Sequence, residues 1–251
     1  MTKIALVTGG GLRIGKAVAR ALADAGYAVA IHYNNSKDSA AALAREITGA
    51  GGKAATLGQD LADIAGSQSL VARAAELMGG PISLLINSAS LYQAESLEEL
   101  TPEQWQLMTN VNAAAPIFLM QAFARQAPAG AAIVNMLDTQ LRAPSSRTFS
   151  YFCAKAALET ATKVAALELA PKIRVNGVAP GLVLPSGDQT EAIFAERQGL
   201  TPLGEGLGVD DIADAVLYLA SARHVTGEII TVDSGQHMIG FSNADLPWRS
   251  H

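Results

Sequence analysis

Lys3-Ile4-Ala5-Leu6-Val7, then Thr8-Gly9-Gly10-Gly11-Leu12-Arg13-Ile14-Gly15, then an alanine-rich run to Ala25, is the stretch on which the fold turns. The first piece reads as a buried strand and the last as a helix. The glycines between them let a backbone come close to a pyrophosphate. The helix N-terminus beyond offers N–H groups and the positive end of its dipole. The spacing is not the common GxGxxG, and a glycine turn alone can be no more than a tight corner. The strand–turn–helix setting is what gives it meaning.

Outward from that turn the same alternation repeats. Strands are expected over 4–8, 28–32, 54–57, 84–87, 131–136, 174–178 and 229–232. Helices are expected over 14–25, 38–48, 65–78, 102–125, 149–169 and 210–220, with Gly26, Gly51-Gly52, Gly79-Gly80-Pro81, Pro171 and Gly227 at the joints. Strands alternating with helices build βαβ units, hence a doubly wound, Rossmann-type parallel α/β sheet of about seven strands with helices on both faces. No linker or repeat interrupts it, so one domain is expected over 1–251. The segment 180–208 breaks the rhythm with Gly, Pro and polar residues around one short helical piece. An excursion of that kind reads as a substrate lid, or more plainly as a surface insertion.

Composition narrows the function. The chain has 251 residues, 49% of them hydrophobic, and a net charge of −5, so a general nucleic-acid-binding surface is not expected. The apolar stretch 113–124 contains Pro116 and Gln121 and reads as too short to span a bilayer. Cys153 is the one cysteine, and neither a disulfide nor a CxxC zinc pattern is available. His32, His224, His237 and His251 lack metal-ligand spacing, so no metal is expected. Strand-like sequence begins at Lys3 with no charged leader before it, and a cytoplasmic setting is the expectation.

The second strand ends in His32-Tyr33-Asn34-Asn35-Ser36. A fold selecting NAD places an acidic residue there for the ribose 2′-hydroxyl, and none appears before Asp38. Asn34, Asn35 and Ser36 can donate to a 2′-phosphate, and Arg13 can supply charge. The same polar residues also suit a turn and N-cap. NADPH is the expected cofactor, with His32 and Tyr33 part of the cofactor strand end.

Tyr151 and Lys155 stand four apart in a helical segment and share a face. An ammonium near a phenol stabilises the phenolate, so Lys155 is expected to lower the Tyr151 pKa. The spacing alone is also that of a solvated helix face. It gains force because it follows the fifth strand, where the helix reaches the ligand-binding end of the sheet.

These residues together resemble the short-chain dehydrogenase/reductase superfamily over nearly the whole chain. The motifs are Thr8-Gly9 to Ile14-Gly15, Asp60-Leu61, Asn87-Ser88-Ala89-Ser90, Asn112, Tyr151 to Lys155, and Pro180-Gly181. Within the superfamily the chain is most similar to pteridine reductases and dihydromonapterin reductases. Arg13 stands where most members have glycine, Asp138 where most have a catalytic serine, and Ser90-Leu91-Tyr92 where pteridine reductases hold a pterin.

The resemblance implies roles. Tyr151 donates the proton, Lys155 binds the nicotinamide ribose, and Asp138 hydrogen-bonds Tyr151. An ionised Asp138 would itself raise the tyrosine pKa, which favours reduction over alcohol oxidation. Asn112 supports a proton-relay water. Gly9, Arg13, Ile14, Asp60, Leu61, Asn87, Ser88, Ala89, Pro180 and Gly181 line the cofactor. Arg13, Ser90, Tyr92, Asp138, Tyr151 and Leu182 contact substrate. A homotetramer is implied, with 102–125 and 149–169 packing between subunits. The tail 241–251 either frays or approaches a neighbour's site.

Departures are Ser88 for the usual second asparagine, Asn35 for a basic residue, and Asp233-Ser234-Gly235 for Asp-Gly-Gly. Glu95, Glu98 and Glu99 read as solvated faces or caps, and Cys153 as a small buried side chain. Three functions stay open: reduction of a dihydropterin or dihydrofolate C=N bond; reduction of a ketone, sugar or acyl thioester by the same fold; and a non-catalytic NADP(H)-binding regulator.

Overall fold

A computed structural model of the chain describes residues 3–144, 147–185, 189–204 and 206–239. Its strands are β1 (Ile4–Val7), β2 (Ala28–Tyr33), β3 (Ala54–Gly58), β4 (Leu84–Asn87), β5 (Ala131–Met136), β6 (Ile173–Pro180) and β7 (Ile229–Val232). They form one sheet in the order β3-β2-β1-β4-β5-β6-β7, and every neighbouring pair is parallel. The order reverses between β1 and β4, so a crevice opens at their carboxyl ends.

Side chains alternate across this sheet. Ile4, Leu6, Ala30, Ile133 and Val175 face a core completed by α3 (Ile64–Met78), α5 (Ala115–Gln126) and α6 (Phe149–Leu169). Ala5, Val7, Ile31, Val134 and Val178 face a second core completed by α1 (Arg13–Asp24), α2 (Lys37–Gly49) and α8 (Val209–Ser221). Burial on both faces explains why the strands read as continuous apolar runs. The remaining helices are α4 (Pro102–Thr109), α7 (Glu191–Gly199) and α9 (Gln236–Ile239). The expected strand ends hold to within two residues. β6 runs furthest past its expected end because Ala179 and Pro180 still pair with Thr231 and Val232.

The single helix expected over 102–125 is broken by a wide, π-helical turn, Asn110–Ala114, between α4 and α5. The Ala115 amide reaches back to the Asn110 carbonyl. Pro116 has no N–H with which to continue the regular ladder, and a wide turn absorbs the mismatch. The whole helical run, Pro102–Gln126, has 25 residues and is by length and composition capable of crossing a membrane, unlike the shorter stretch expected. Met108, Leu119 and Phe123 are nonetheless fully buried in the protein, as in a core helix.

Within 180–208 the short helical piece is α7. The Gln198 amide nitrogen ties the segment together by donating to the carbonyls of Leu182 (2.7 Å) and Leu207 (2.9 Å). The tail 241–251 lies outside the described residues.

Candidate active site

The glycine turn is built by close packing. Gly9 has φ +62°, a left-handed conformation, and a Cβ there would stand 2.9 Å from the Ala89 Cα. A Cβ on Gly15 would collide with the Gly9 carbonyl oxygen, so α1 lies directly against the turn. The Thr8 hydroxyl oxygen accepts from the amides of Ser88 and Ala89, both at 3.0 Å. This bond fixes the end of β4 to the end of β1. Behind the turn sits His32, 1% exposed. Its Nδ1 accepts from the Gly9 amide at 3.1 Å, and its Nε2 faces the Gln59 carbonyl at 2.9 Å.

In front of the turn is a cavity of about 600 Å³, a size suited to a cofactor. Gly9, Arg13 and Ile14 form its floor, and Asn34, Asn35 and Ser36 one end. Asp60 and Leu61 form one wall and Ser88, Ala89 and Ser90 the other. A second chamber of about 250 Å³ adjoins it, lined by Tyr92, Asp138, Tyr151, Lys155, Pro180, Gly181 and Leu182. Arg13, Ile14, Ser88 and Ser90 border both. Arg13 also donates to the Pro185 carbonyl at 3.0 Å, joining the turn to the first part of the 180–208 segment.

The catalytic candidates converge in this second chamber. The Tyr151 hydroxyl donates to Asp138 at 2.9 Å, and the other Asp138 oxygen accepts from the Gln140 amide at 2.8 Å. Lys155 Nζ donates to the Met136 carbonyl at 2.8 Å and lies 5.7 Å from the centre of the Tyr151 ring. Tyr92 meets that ring edge-on, with centroids 5.0 Å apart at 78°. Asn112 is buried in the wide turn. Its Oδ1 accepts from the Ser90 hydroxyl (2.8 Å) and the Leu91 amide (3.1 Å), and its Nδ2 donates to the Leu91 carbonyl (2.8 Å). Asn112 thus holds the loop that carries Ser90 and Tyr92.

Electrostatics decide which way protons move. Burial, and then the Asp138 charge, hold Tyr151 well above the ordinary phenol range. The rise is in the direction expected from Asp138; the lowering expected from Lys155 does not prevail, its Nζ donating to the Met136 carbonyl. Burial also raises Asp138, against its hydrogen bonds from Gln140 and Tyr151 and the charge of Lys155. Burial lowers Lys155 to about 8, with Asp138 resisting. The phenol keeps its proton and shares it with a carboxylate, so the pair is set to donate.

Two expected cofactor contacts are placed elsewhere. Asn87 is 2% exposed and donates to Asn135 at 2.8 Å inside the sheet. The Tyr33 ring packs over Gly58, off the cavity wall. Cys153 is half-buried rather than buried.

Two supports go beyond the sequence reading, which left Glu95 as a face or a cap and gave Asp233 no role. Glu95 is a buried cap, not a solvated face: Oε1 accepts from the Ser150 amide and hydroxyl, both at 2.8 Å, beside Tyr151. Asp233 is buried and accepts from Thr139, the residue after Asp138, at 2.6 Å. The partners are 55 and 94 residues apart, and no local pattern links them.

The residues fit a bound NADP(H). Close packing at Gly9 and Gly15 tolerates no side chain, so the backbone of the turn is bare and a diphosphate can approach it. The far end of the cavity carries amides and a hydroxyl at Asn34, Asn35 and Ser36, suited to a 2′-phosphate.

A family model described as enoyl-(acyl carrier protein) reductase matches residues 11–237. An uncharacterized oxidoreductase of Methylorubrum extorquens is 38% identical over 243 residues, covering 93% of this chain and 97% of that protein. Pteridine reductase 1 of Leishmania tarentolae is 32% identical over 279 residues, covering 92% and 95%. The crystal structure of FolM alternative dihydrofolate reductase 1 from Brucella canis, complexed with NADP, superposes with a TM-score of 0.90. That match has 36% identity and covers 94% of each chain.

Proposed function

The chain belongs to the enoyl-(acyl carrier protein) reductase family of the short-chain dehydrogenase/reductase superfamily, and from that membership we propose that it is an NADPH-dependent reductase of a pterin or folate C=N bond. The observation that carries this reading is the 2.9 Å hydrogen bond from Tyr151 to Asp138, in a chamber floored by Arg13 and walled by Tyr92. Reduction of a C=N bond places a hydride on carbon and a proton on nitrogen. When bound, NADPH supplies the hydride.

The chain's residues do the rest. Gly9, Arg13, Ile14 and the amides at the start of α1 would hold the diphosphate, and Lys155 the nicotinamide ribose. Arg13 bridges both chambers, so one guanidinium can meet a cofactor phosphate and a substrate heteroatom. The exposed part of Tyr92 gives a flat heterocycle a ring to pack against. Tyr151, held protonated by burial and by its carboxylate neighbour, passes its proton to the ring nitrogen. Asp138 then stands next to the phenol to route a replacement proton from solvent. Similarity to the pteridine reductase of Leishmania tarentolae and to the Brucella dihydrofolate reductase supports this substrate class.

The test is NADPH oxidation with dihydropterins and dihydrofolate, beside a panel of ketones and β-ketoacyl thioesters. Turnover is expected with the former. Turnover of the carbonyl panel, with pterins no better than a Tyr151→Phe control, sinks the reading. We further propose a cytoplasmic homotetramer. The support for the assembly is the apolar residues left exposed on α4, α5 and α6: Trp105, Ile117, Val164 and Leu167.

A further inference from the structure

His32 touches the phosphate turn from behind, and its two ring nitrogens have opposite duties. Nε2 faces a carbonyl, that of Gln59, at 2.9 Å, so it must carry the proton. Nδ1 faces an N–H, that of Gly9, at 3.1 Å, so it must carry none. These partners permit only one form of the ring, the neutral Nε2–H tautomer. The His32 backbone carbonyl accepts from the next amide, Gly10, at 3.0 Å. The first two amides of the turn are therefore both spent on His32, and a diphosphate is left to the amides that open α1.

We propose that His32 is a positioning residue for NADP(H), holding the glycine turn in its binding shape only while the ring is neutral, so that cofactor affinity falls with acid. This rests on the NADP(H)-binding reading and gives His32, which also lines the cofactor cavity, a supporting role beneath the turn. A proton on Nδ1 would set two donors face to face across the Gly9 contact. Gly9 has little room to adjust, because its backbone is left-handed and packs so near Ala89 that an added Cβ would stand 2.9 Å from the Ala89 Cα. The bond would break and the turn would lose the support behind Gly9.

The surroundings keep the ring neutral at ordinary pH. Burial is the main cause, and Arg73 of α3 adds a like charge, both lowering the His32 pKa from 6.5 against the pull of the Gln59 carbonyl. Arg73 stays close because it donates to Gln59 and to the Gly58 carbonyl, both at 3.0 Å. The nearby carboxylates are engaged elsewhere: Asp60 with the Ala62 amide and Asp63 with the Gly66 amide. A lowered folded pKa means the unfolded chain takes up the proton first. The neutral-ring turn is therefore intact above 6.5 and lost as the pH falls below the folded value.

Calorimetric titration of NADP+ into the whole protein, from about pH 5 to about pH 8, tests this without any turnover. Asn at position 32 can accept from Gly9 through Oδ1 and cannot be protonated, whereas Leu offers no acceptor. His32→Asn is expected to bind close to wild type near neutrality and to hold its affinity in acid, where wild type weakens. His32→Leu is expected to bind more weakly at every pH, by up to about tenfold, the worth of one hydrogen bond. The 2′-phosphate titrates near pH 6 in every case, so the difference between wild type and His32→Asn isolates the ring. Superimposed curves for these two proteins overturn the proposal while leaving the cofactor assignment standing. Wild type that fails to bind NADP+ at neutral pH overturns both. If His32→Leu does not fold, the comparison with His32→Asn still decides.

Discussion

Burial raises the Asp138 carboxyl's pKa, and the bonds it accepts do not bring it back. Such a carboxyl still holds a proton at pH values where the unfolded chain has lost it. Stability therefore falls as pH rises above the ordinary value of 3.8 through the folded pKa, and the ionised group weighs on the fold at neutral pH. Asp138→Asn keeps an oxygen for the Gln140 amide and removes the charge. It is expected to raise Tm near neutrality, with the gain vanishing at a pH below the unfolded value. Losing the proton route should lower pterin reduction by about 10²-fold. Melting curves at the two pH values, with steady-state rates, check this; a lower Tm at neutrality, or an unchanged rate, goes against it. Two other residues carry strain of a different kind. Arg13 and Ser234 have φ of 52° and 54°, and among the described residues they are the non-glycine positions with left-handed backbone. Each stands where the superfamily pattern has glycine. A side chain was accepted there at a cost of about 1–2 kcal/mol, and at Arg13 the guanidinium's reach across both chambers gives that cost a use.

At the scale of elements, the site depends on stitching between the loop after β4 and the start of α6. The Glu95 amide donates to the Arg147 carbonyl at 2.8 Å, Glu95 and Thr148 form a short parallel bridge, and the Glu95 carboxyl caps the first turn of α6. Tyr92 and Tyr151 ride on the two stitched pieces. Glu95→Ala should lose about 1–2 kcal/mol, the worth of a cap, which lowers Tm by a few degrees in a chain of this size. The ring contact between Tyr92 and Tyr151 should loosen with it, so KM for the pterin rises while NADP+ affinity holds. Glu95→Gln, which keeps Oε1 as acceptor, should restore most of both. Equal losses in pterin and NADP+ binding would show general destabilisation instead. Such stitches explain what the sequence concealed. Strands and most helices follow from local periodicity, and the glycine turn and the Tyr151–Lys155 spacing are local too. Glu95, Asp233 and the inward turn of Asn87 depend on partners brought near only by folding. The wide turn at Asn112 likewise reflects packing, and in the upward shift of Tyr151 the Asp138 share was legible while the larger share, burial, is encoded by no spacing.

For the whole molecule, the parallel sheet was legible because βαβ units obey one handedness, while a surface that would join subunits follows no such rule. The helices on the two faces of the sheet differ in what they leave to solvent. On the α4–α6 side, Leu167 is 84% exposed and Val164 54%, with Trp105 and Ile117 also open on neighbouring helices. α6 carries Tyr151 and Lys155 on its inner side, so covering its outer side would brace the catalytic helix against the sheet. Burying a Leu or Val side chain against a second copy of the chain would be worth about 1.5–3 kcal/mol. A buried, unpaired carboxylate costs several kcal/mol in the same place. Val164→Glu combined with Leu167→Glu is therefore expected to shift the protein to a smaller species by light scattering, with fold and NADP+ binding retained and turnover reduced. Unchanged mass for the double variant would remove this face from the assembly.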